Sequence, residues 1–408
     1  MRVQLSCPQC GAPLELEETE HILTCTYCRV RLMIFSRGPC RYYLPPAQEA
    51  PADIFFVPYW RLKGTGYALD SSRVLHKIID TSMLARKWDN FPFSLGLRPQ
   101  AMRLRHLTPE VPGYFFQPNT GRRFLLEQIG QRLVQGRSRS PARIIRQDFV
   151  GEIVSLIYAP FFIYQGAVYD GITRRIVDRR SDTPACKPEG QSIRRTSISF
   201  QPTLCPHCGW DMLGESRAVV LVCPGCFRAW TAASAGFRQI GLAMGQEDAA
   251  GDYHLPFWQL SLQGREMQLS SMADLVRLTN LSKPLLPAAE RKALTFWIPA
   301  FKIRPDLYLR IASRMTVTQL EVHTVDRLPA GQLHPADLPL KEGLQSIPYL
   351  LASLGAAKGQ VVPLAAKESI KARKARLAFI PFRIQGSEYL RPDVRMSIPR
   401  RAVQWGAH

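Results

Sequence analysis

The sequence predicts an α+β protein rich in β-strand, in which a small four-cysteine module precedes each of two mixed β-rich domains, as a tandem duplication. Three observations carry this expectation. Eight cysteines fall into two sets of identical spacing, the two halves share a collinear series of matches, and a phrase of apolar residue, proline and aromatics recurs along the chain. A length of 408 residues with 46% hydrophobic residues suits two or three globular domains.

The cysteines come first because their spacing is the most specific signal. Cys7, Cys10, Cys25 and Cys28 form C-x2-C-x14-C-x2-C, and Cys205, Cys208, Cys223 and Cys226 repeat it with the same spacer. Each C-x2-C pair puts two thiolates on one tight turn. Two such turns brought together make a tetrahedral four-sulfur cage, the closed geometry of structural zinc. Gly11 and Gly209 follow the second cysteine of the first turns, where backbone with φ > 0 is expected. Leu14 to Leu16, Ile22-Leu23, Met212-Leu213 and Val219 to Val222 read as short strands between the turns.

Cys7-Pro-Gln-Cys10-Gly11 and Cys205-Pro-His-Cys208-Gly209 resemble the zinc-ribbon superfamily, over about 35 residues each. The resemblance implies two ribbons, each holding one structural Zn2+. Iron is the other metal that a four-thiolate cage accepts, and the ribbon-like spacing favours zinc. Four thiolates leave no open position for water, so a catalytic zinc is not expected. His207, inside a turn, reads as a solvent-facing residue, and Cys40 and Cys186 as ordinary thiols.

Adding 198 to Val57-Pro58-Tyr59-Trp60 gives Leu255-Pro256-Phe257-Trp258. At larger offsets Leu97-Arg98-Pro99 recurs as Ile303-Arg304-Pro305, Phe124-Leu125-Leu126 as Tyr349-Leu350-Leu351, and Tyr158-Ala-Pro160-Phe161 as Phe379-Ile-Pro381-Phe382. The expected organisation is a ribbon at 1–36, a domain at 50–181, a linker at 182–202, a second ribbon at 203–234 and a second domain at 250–408. Fused copies of one module are expected to pack as an intramolecular pseudo-dimer. Because proline cannot donate to a ladder, the Pro-aromatic phrases are expected at strand beginnings or edges, with their aromatics filling the core. Helices are expected at Ser71 to Trp88, Arg122 to Val134 and Leu364 to Leu377.

The 53 Lys and Arg against 33 Asp and Glu give a formal charge of +20. The ribbons do not hold that excess, since Arg2, Arg29 and Arg31 face four glutamates in the first, and Arg217 and Arg228 face Asp211 and Glu215 in the second. It gathers in Arg122, Arg123, Arg132, Arg137, Arg139, Arg143 and Arg146, and in Lys367, Lys371, Arg373, Lys374 and Arg376. Such runs are candidate contacts for nucleic acid or another anionic partner. No phosphate-cradling loop, G-x-S-x-G elbow or H-E-x-x-H motif is present, and His76 and Asp80, four apart, read as an exposed helix face. The expectation is a non-enzymatic, cytoplasmic protein that holds nucleic acid. The alternative is an adaptor of a protein complex, touching an anionic membrane surface peripherally through basic helices. No stretch is long enough to span a bilayer, Ile153 to Tyr164 being short and interrupted by Pro160.

Overall fold

The computed structural model describes the chain apart from residues 49, 52, 72, 89–90, 109, 135–143, 180–197, 246–251, 264–268, 286, 325–326, 330, 356–357, 368 and 406–408. Of the described residues, strands hold 43% and helices 21%, an α+β fold weighted to strand. The chain divides into two units. Unit 1 is Met1–Gly64, Ile79–Glu127 and Gly151–Pro202; unit 2 is Thr65–Ile78, Gln128–Val150 and Thr203–His408.

The first half runs β1 (Arg2–Ser6), β2 (Pro13–Glu17), β3 (Ile22–Thr24), β4 (Arg31–Ser36), β5 (Cys40–Tyr43), β6 (Ile54–Leu69), β7 (Val74–Leu84), α1 (Arg98–Ala101), β8 (Leu104–His106), β9 (Tyr114–Phe115), α2 (Arg122–Val134), β10 (Arg146–Tyr164), β11 (Ala167–Asp170), β12 (Ile176–Asp178) and β13 (Ile198–Pro202). In unit 1 β10 pairs in parallel with β5, Tyr158 opposite Tyr43, and antiparallel with β11, while β6 pairs with β10 and β9. One face of this sheet buries Val57, Tyr59, Ile157, Ala159 and Phe161 in the core. β13, which ends the stretch expected as a linker, pairs antiparallel with β4 and brings Phe200 onto the small core around Cys7 and Cys25.

The second half runs β14 (Leu221–Val222), β15 (Ala229–Ala233), β16 (Gly236–Gly245), β17 (Tyr253–Gln263), α3 (Met272–Thr279), α4 (Pro287–Arg291), β18 (Phe296–Pro299), α5 (Pro305–Thr318), β19 (Val322–Thr324), β20 (Gln332–Leu333), α6 (Leu340–Ser353), α7 (Lys358–Lys367), β21 (Lys371–Gln385), β22 (Glu388–Arg391), β23 (Met396–Pro399) and α8 (Arg400–Trp405). In unit 2, β21 lies between β16, parallel, and β17, antiparallel. The faces of Phe257, Trp258, Trp297 and Phe379 pack with α3, α5, α6 and α7 into one core. α3 starts on a complete capping box, Ser271 accepting from the Asp274 N–H and Asp274 from the Ser271 N–H.

Several backbone relations of the first half recur in the second. Phe55 and Phe56 pair in parallel with Tyr114 and Phe115, as Tyr253 and His254 do with Gln332 and Leu333. The Ala85 N–H donates to the Pro58 carbonyl at 2.9 Å, and Ala300 to Pro256 at 2.9 Å. The Trp60 Nε1–H donates to the Thr120 carbonyl at 3.2 Å, and Trp258 to Leu338 at 2.9 Å.

The prolines sit inside long strands, not at their beginnings, and the reason is local. Pro256 lies where one edge of β17 changes partner, between β20 at Tyr253–His254 and β18 at Phe257–Leu260. Pro160 lies between the part of β10 that pairs with β5 and the part that pairs with β11, and Pro381 between the β16 and β22 pairings of β21. At such a seam no ladder bond requires an N–H, so proline costs nothing there. The proline carbonyls are still taken, Pro160 by the Gly171 N–H and Pro381 by Arg391, both at 2.8 Å.

Of the expected helices, one holds a strand and another is split between a helix and a strand. Ser71 to Trp88 contains β7, where Val74, Ile78, Ile79 and Thr81 favour extended backbone; Asp80 is held by Arg61 at 2.6 Å, not poised beside His76. Leu364 to Leu377 splits into the end of α7 and the start of β21. Ala, Lys and Arg favour a helix locally, but the apolar run Leu377 to Phe382 is paired with β17 throughout and with β16 as far as Phe379, and this carries the preceding residues into the strand. The helix at Arg122 to Val134 forms, burying Leu125, Ile129 and Leu133.

Candidate metal centres and basic surfaces

Each cysteine pair lies in the turn of a hairpin. Cys7 and Cys10 follow β1, which pairs with β2, and Cys25 and Cys28 join β3 to β4. Cys205 and Cys208 are closed by a bridge between Leu204 and Asp211, and Cys223 and Cys226 join β14 to β15. All four turns share one hydrogen-bond pattern. The first cysteine donates its N–H five residues on, at 2.8 to 3.0 Å, and the residue after the second cysteine donates back to it, as Gly11 does to Cys7 and Arg29 to Cys25. That donating residue has φ of +76° at Gly11, +60° at Arg29, +73° at Gly209 and +55° at Phe227. Glycine adopts this conformation freely, whereas Arg29 and Phe227 are held in it against their Cβ sterics.

The four sulfurs of each set lie within 4.8 Å of one another. Cys7 and Cys28 are 3.8 Å apart, Cys10 and Cys25 3.7 Å, Cys205 and Cys226 3.6 Å, and Cys208 and Cys223 3.4 Å. A tetrahedron with Zn–S bonds of about 2.3 Å has edges of about 3.8 Å, close to these separations, so the donor sets suit a zinc ion. Two potential four-thiolate metal sites are thus built into the chain, one in each unit. Cys7, Cys25, Cys205 and Cys223 are buried. The Cys28 N–H, 3.5 Å from the Cys25 sulfur, outweighs burial and, with the Tyr27 N–H, brings that thiol down to about 6. His207 is exposed. Cys40 lies in β5, where burial raises its thiol, and Cys186 is outside the described residues.

The basic residues do not converge on one site. Arg122 begins α2, Arg123 is exposed and pairs with Glu127 at 3.0 Å, and Arg132 is half-buried in the same helix. Arg137, Arg139 and Arg143 lie outside the described residues. Arg146 is engaged within unit 2: its Nε donates to Asp148 at 2.8 Å and its Nη1 to the Ala365 carbonyl at 3.1 Å. Lys371, Arg373 and Lys374 are exposed on the first residues of β21, with Lys367 exposed at the end of α7. Opposite them on β17 stand Gln263, Leu262 and Ser261, none carrying a carboxylate. Arg238 is exposed on β16, three residues before the first parallel pair with β21, Gly241–Arg376. Arg376 is half-buried and donates to Gln259.

Two features were not expected. Leu204, Trp210 and Leu213, around the second four-cysteine set, are exposed, at 49%, 62% and 48%. Beside them is a cavity of about 340 Å3 lined by Leu213, Val220, Val222, Leu333, His334 and Phe379. Burial holds the His334 imidazole down to about 4, and its Nδ1 lies 2.8 Å from the Tyr253 hydroxyl.

Among the described residues no helix is long and apolar enough to cross a membrane. No protein-family model, curated protein or solved structure matches the chain.

Proposed function

We propose that this chain binds two structural zinc ions and uses basic surfaces of its larger domains to hold nucleic acid. The two four-sulfur clusters support the zinc, and full four-thiolate coordination suits a structural role over a catalytic one. Eight thiolates kept unpaired suit a reducing, cytoplasmic compartment. The observation that carries the nucleic-acid reading is the exposed run of Lys371, Arg373 and Lys374, which faces no carboxylate in its register with β17, since exposed cations on a sheet suit phosphates.

The test is the salt dependence of binding to labelled DNA and RNA. Replacing Lys371, Arg373 and Lys374 together by Ala should flatten the log–log slope by roughly 2 to 3, from about 0.7 to 0.9 per phosphate, while both zincs stay bound. Wild-type protein that binds neither polymer at low salt contradicts the reading.

A second reading is favoured by Leu204, Trp210 and Leu213. Apolar side chains on a near-neutral ribbon suit a protein partner, making the chain a zinc-ribbon adaptor. Trp210→Ser should then abolish capture of a protein partner and leave nucleic-acid affinity unchanged.

The two halves are, in the same proposal, copies of one module. Trp60 and Trp258 on strands with the same partners support it, as do Pro160 and Pro381 at the same kind of seam.

A further inference from the structure

Resting on the nucleic-acid reading, we propose that the hairpin of β10 and β11 with β12 is a stacking platform for unpaired bases, distinct from the basic cluster on β21. The hairpin closes through Gln165 and Gly166, both with positive φ, a two-residue turn that places Tyr164 and Ala167 opposite each other. Its register aligns Phe162, Tyr169 and Ile176 across three strands. Phe162 is buried and stacks on Tyr169 with planes 7° apart and centroids at 5.3 Å, which fixes the Tyr169 ring. Tyr164 stands edge-on to Tyr169 at 6.2 Å and is 55% exposed, and Ile176 is 42% exposed.

Single exposed apolar side chains are ordinary on a protein surface, but this group shares one face and its rings are held by a buried one. Rings held in this way lose little freedom when a base stacks on them. The rim is basic. Arg174 and Arg175 occupy a turn pinned by the Arg174 N–H to the Asp170 carbonyl, 2.9 Å, and the Asp170 N–H to the Arg175 carbonyl, 3.0 Å, and exposed Arg179 follows β12. Of the nearby carboxylates, Asp170 is buried and held by Arg98, while Asp178 is half-buried on β12. Aromatic rings on a hairpin whose flanking turn and strand end carry exposed arginines match the flat bases and flexible phosphates of a single strand, whereas a duplex keeps its base faces covered.

The experiment uses the full zinc-loaded chain with a fluorescent 12-nucleotide single strand and the duplex of the same length. Tyr164→Ala should weaken single-strand binding about tenfold and duplex binding less than twofold, and Tyr164→Phe should retain wild-type affinity. Unchanged zinc content and circular dichroism will show that the fold persists. A 5-bromouridine strand should cross-link to Tyr164 or Tyr169 on irradiation. Wild-type binding that Tyr164→Ala leaves intact, with cross-links elsewhere, overturns the platform but leaves the nucleic-acid reading standing. Absence of all wild-type binding overturns both. Anionic vesicle binding lost in Tyr164→Ala, without single-strand binding, reassigns the surface to membrane.

Discussion

Arg146 separates a structural cation from a phosphate contact. Its guanidinium meets the Asp148 carboxylate at 2.8 Å, Asp148 also accepts from the Tyr349 hydroxyl at 2.9 Å, and Arg146 caps the Ala365 carbonyl near the end of α7. The Arg146 and Asp148 side chains are only 21% and 12% exposed. Arg146→Met keeps much of the stem but leaves a mostly buried carboxylate with one donor and removes the guanidinium from the Ala365 carbonyl. Breaking a fully buried pair costs about 3 to 5 kcal/mol, and the residual exposure here brings the expectation to about 3 kcal/mol. Urea unfolding followed by tryptophan fluorescence, with zinc present, should show the midpoint lowered by about 1 M. Adding Asp148→Asn should recover part of the loss, because the stranded charge is then gone. Unchanged stability in Arg146→Met, together with a salt slope reduced by about one phosphate, would refute the structural assignment.

Three further outcomes follow from the turns and the buried groups. Arg29→Gly should relieve about 0.5 to 1 kcal/mol of positive-φ strain and slow zinc loss to a chelator several-fold, whereas Gly11→Ala should hasten it; equal release rates for both would remove the strain argument. Nothing lies within 4 Å of a Cβ built on Gly11, so the conformation alone is tested there. His334 stays neutral in the folded chain down to about pH 4, while the unfolded imidazole takes up a proton near 6.5. Stability should therefore be full above that range and fall as pH drops through it, by at most about 3 kcal/mol, and His334→Gln should lessen the fall; identical pH profiles of wild type and variant would contradict this. Trp258→Phe should cost about 1 to 3 kcal/mol by leaving the buried Leu338 carbonyl without its donor, and Trp60→Phe should cost less because the Thr120 hydroxyl can turn to the carbonyl; calorimetry of both variants measures this.

The metal sites were legible because the chemistry is local: C-x2-C with a following glycine dictates both the turn and the ligand pair. Arg29 and Phe227 show the limit of that rule, since they take the glycine conformation without being glycine. The β-rich class was legible from the Pro-aromatic phrases, but not where the prolines sit, because a seam exists only when two neighbouring strands share one edge. β7 and the start of β21 were misread as helices where long-range pairing overrides a helical composition. The match of Phe124 to Tyr349 implies an offset of 225, whereas the tryptophan hydrogen bonds relate Thr120 to Leu338 at 218. Seven residues are almost two helical turns, so an apolar helix face matches itself under that shift. The alignment of Phe162, Tyr164, Tyr169 and Ile176 was not legible because it is assembled across strands; only the Gln165-Gly166 turn between aromatic residues signals the hairpin.

The central claim is that the chain carries two independent four-thiolate zinc sites, and elemental analysis of the purified protein tests it most directly. The wild-type chain should return about two zinc, and each of Cys25→Ser and Cys223→Ser one, since neither site shares a ligand with the other. One metal or none in the wild-type chain, loss of both from either variant, or stoichiometric iron with a visible charge-transfer band would contradict it.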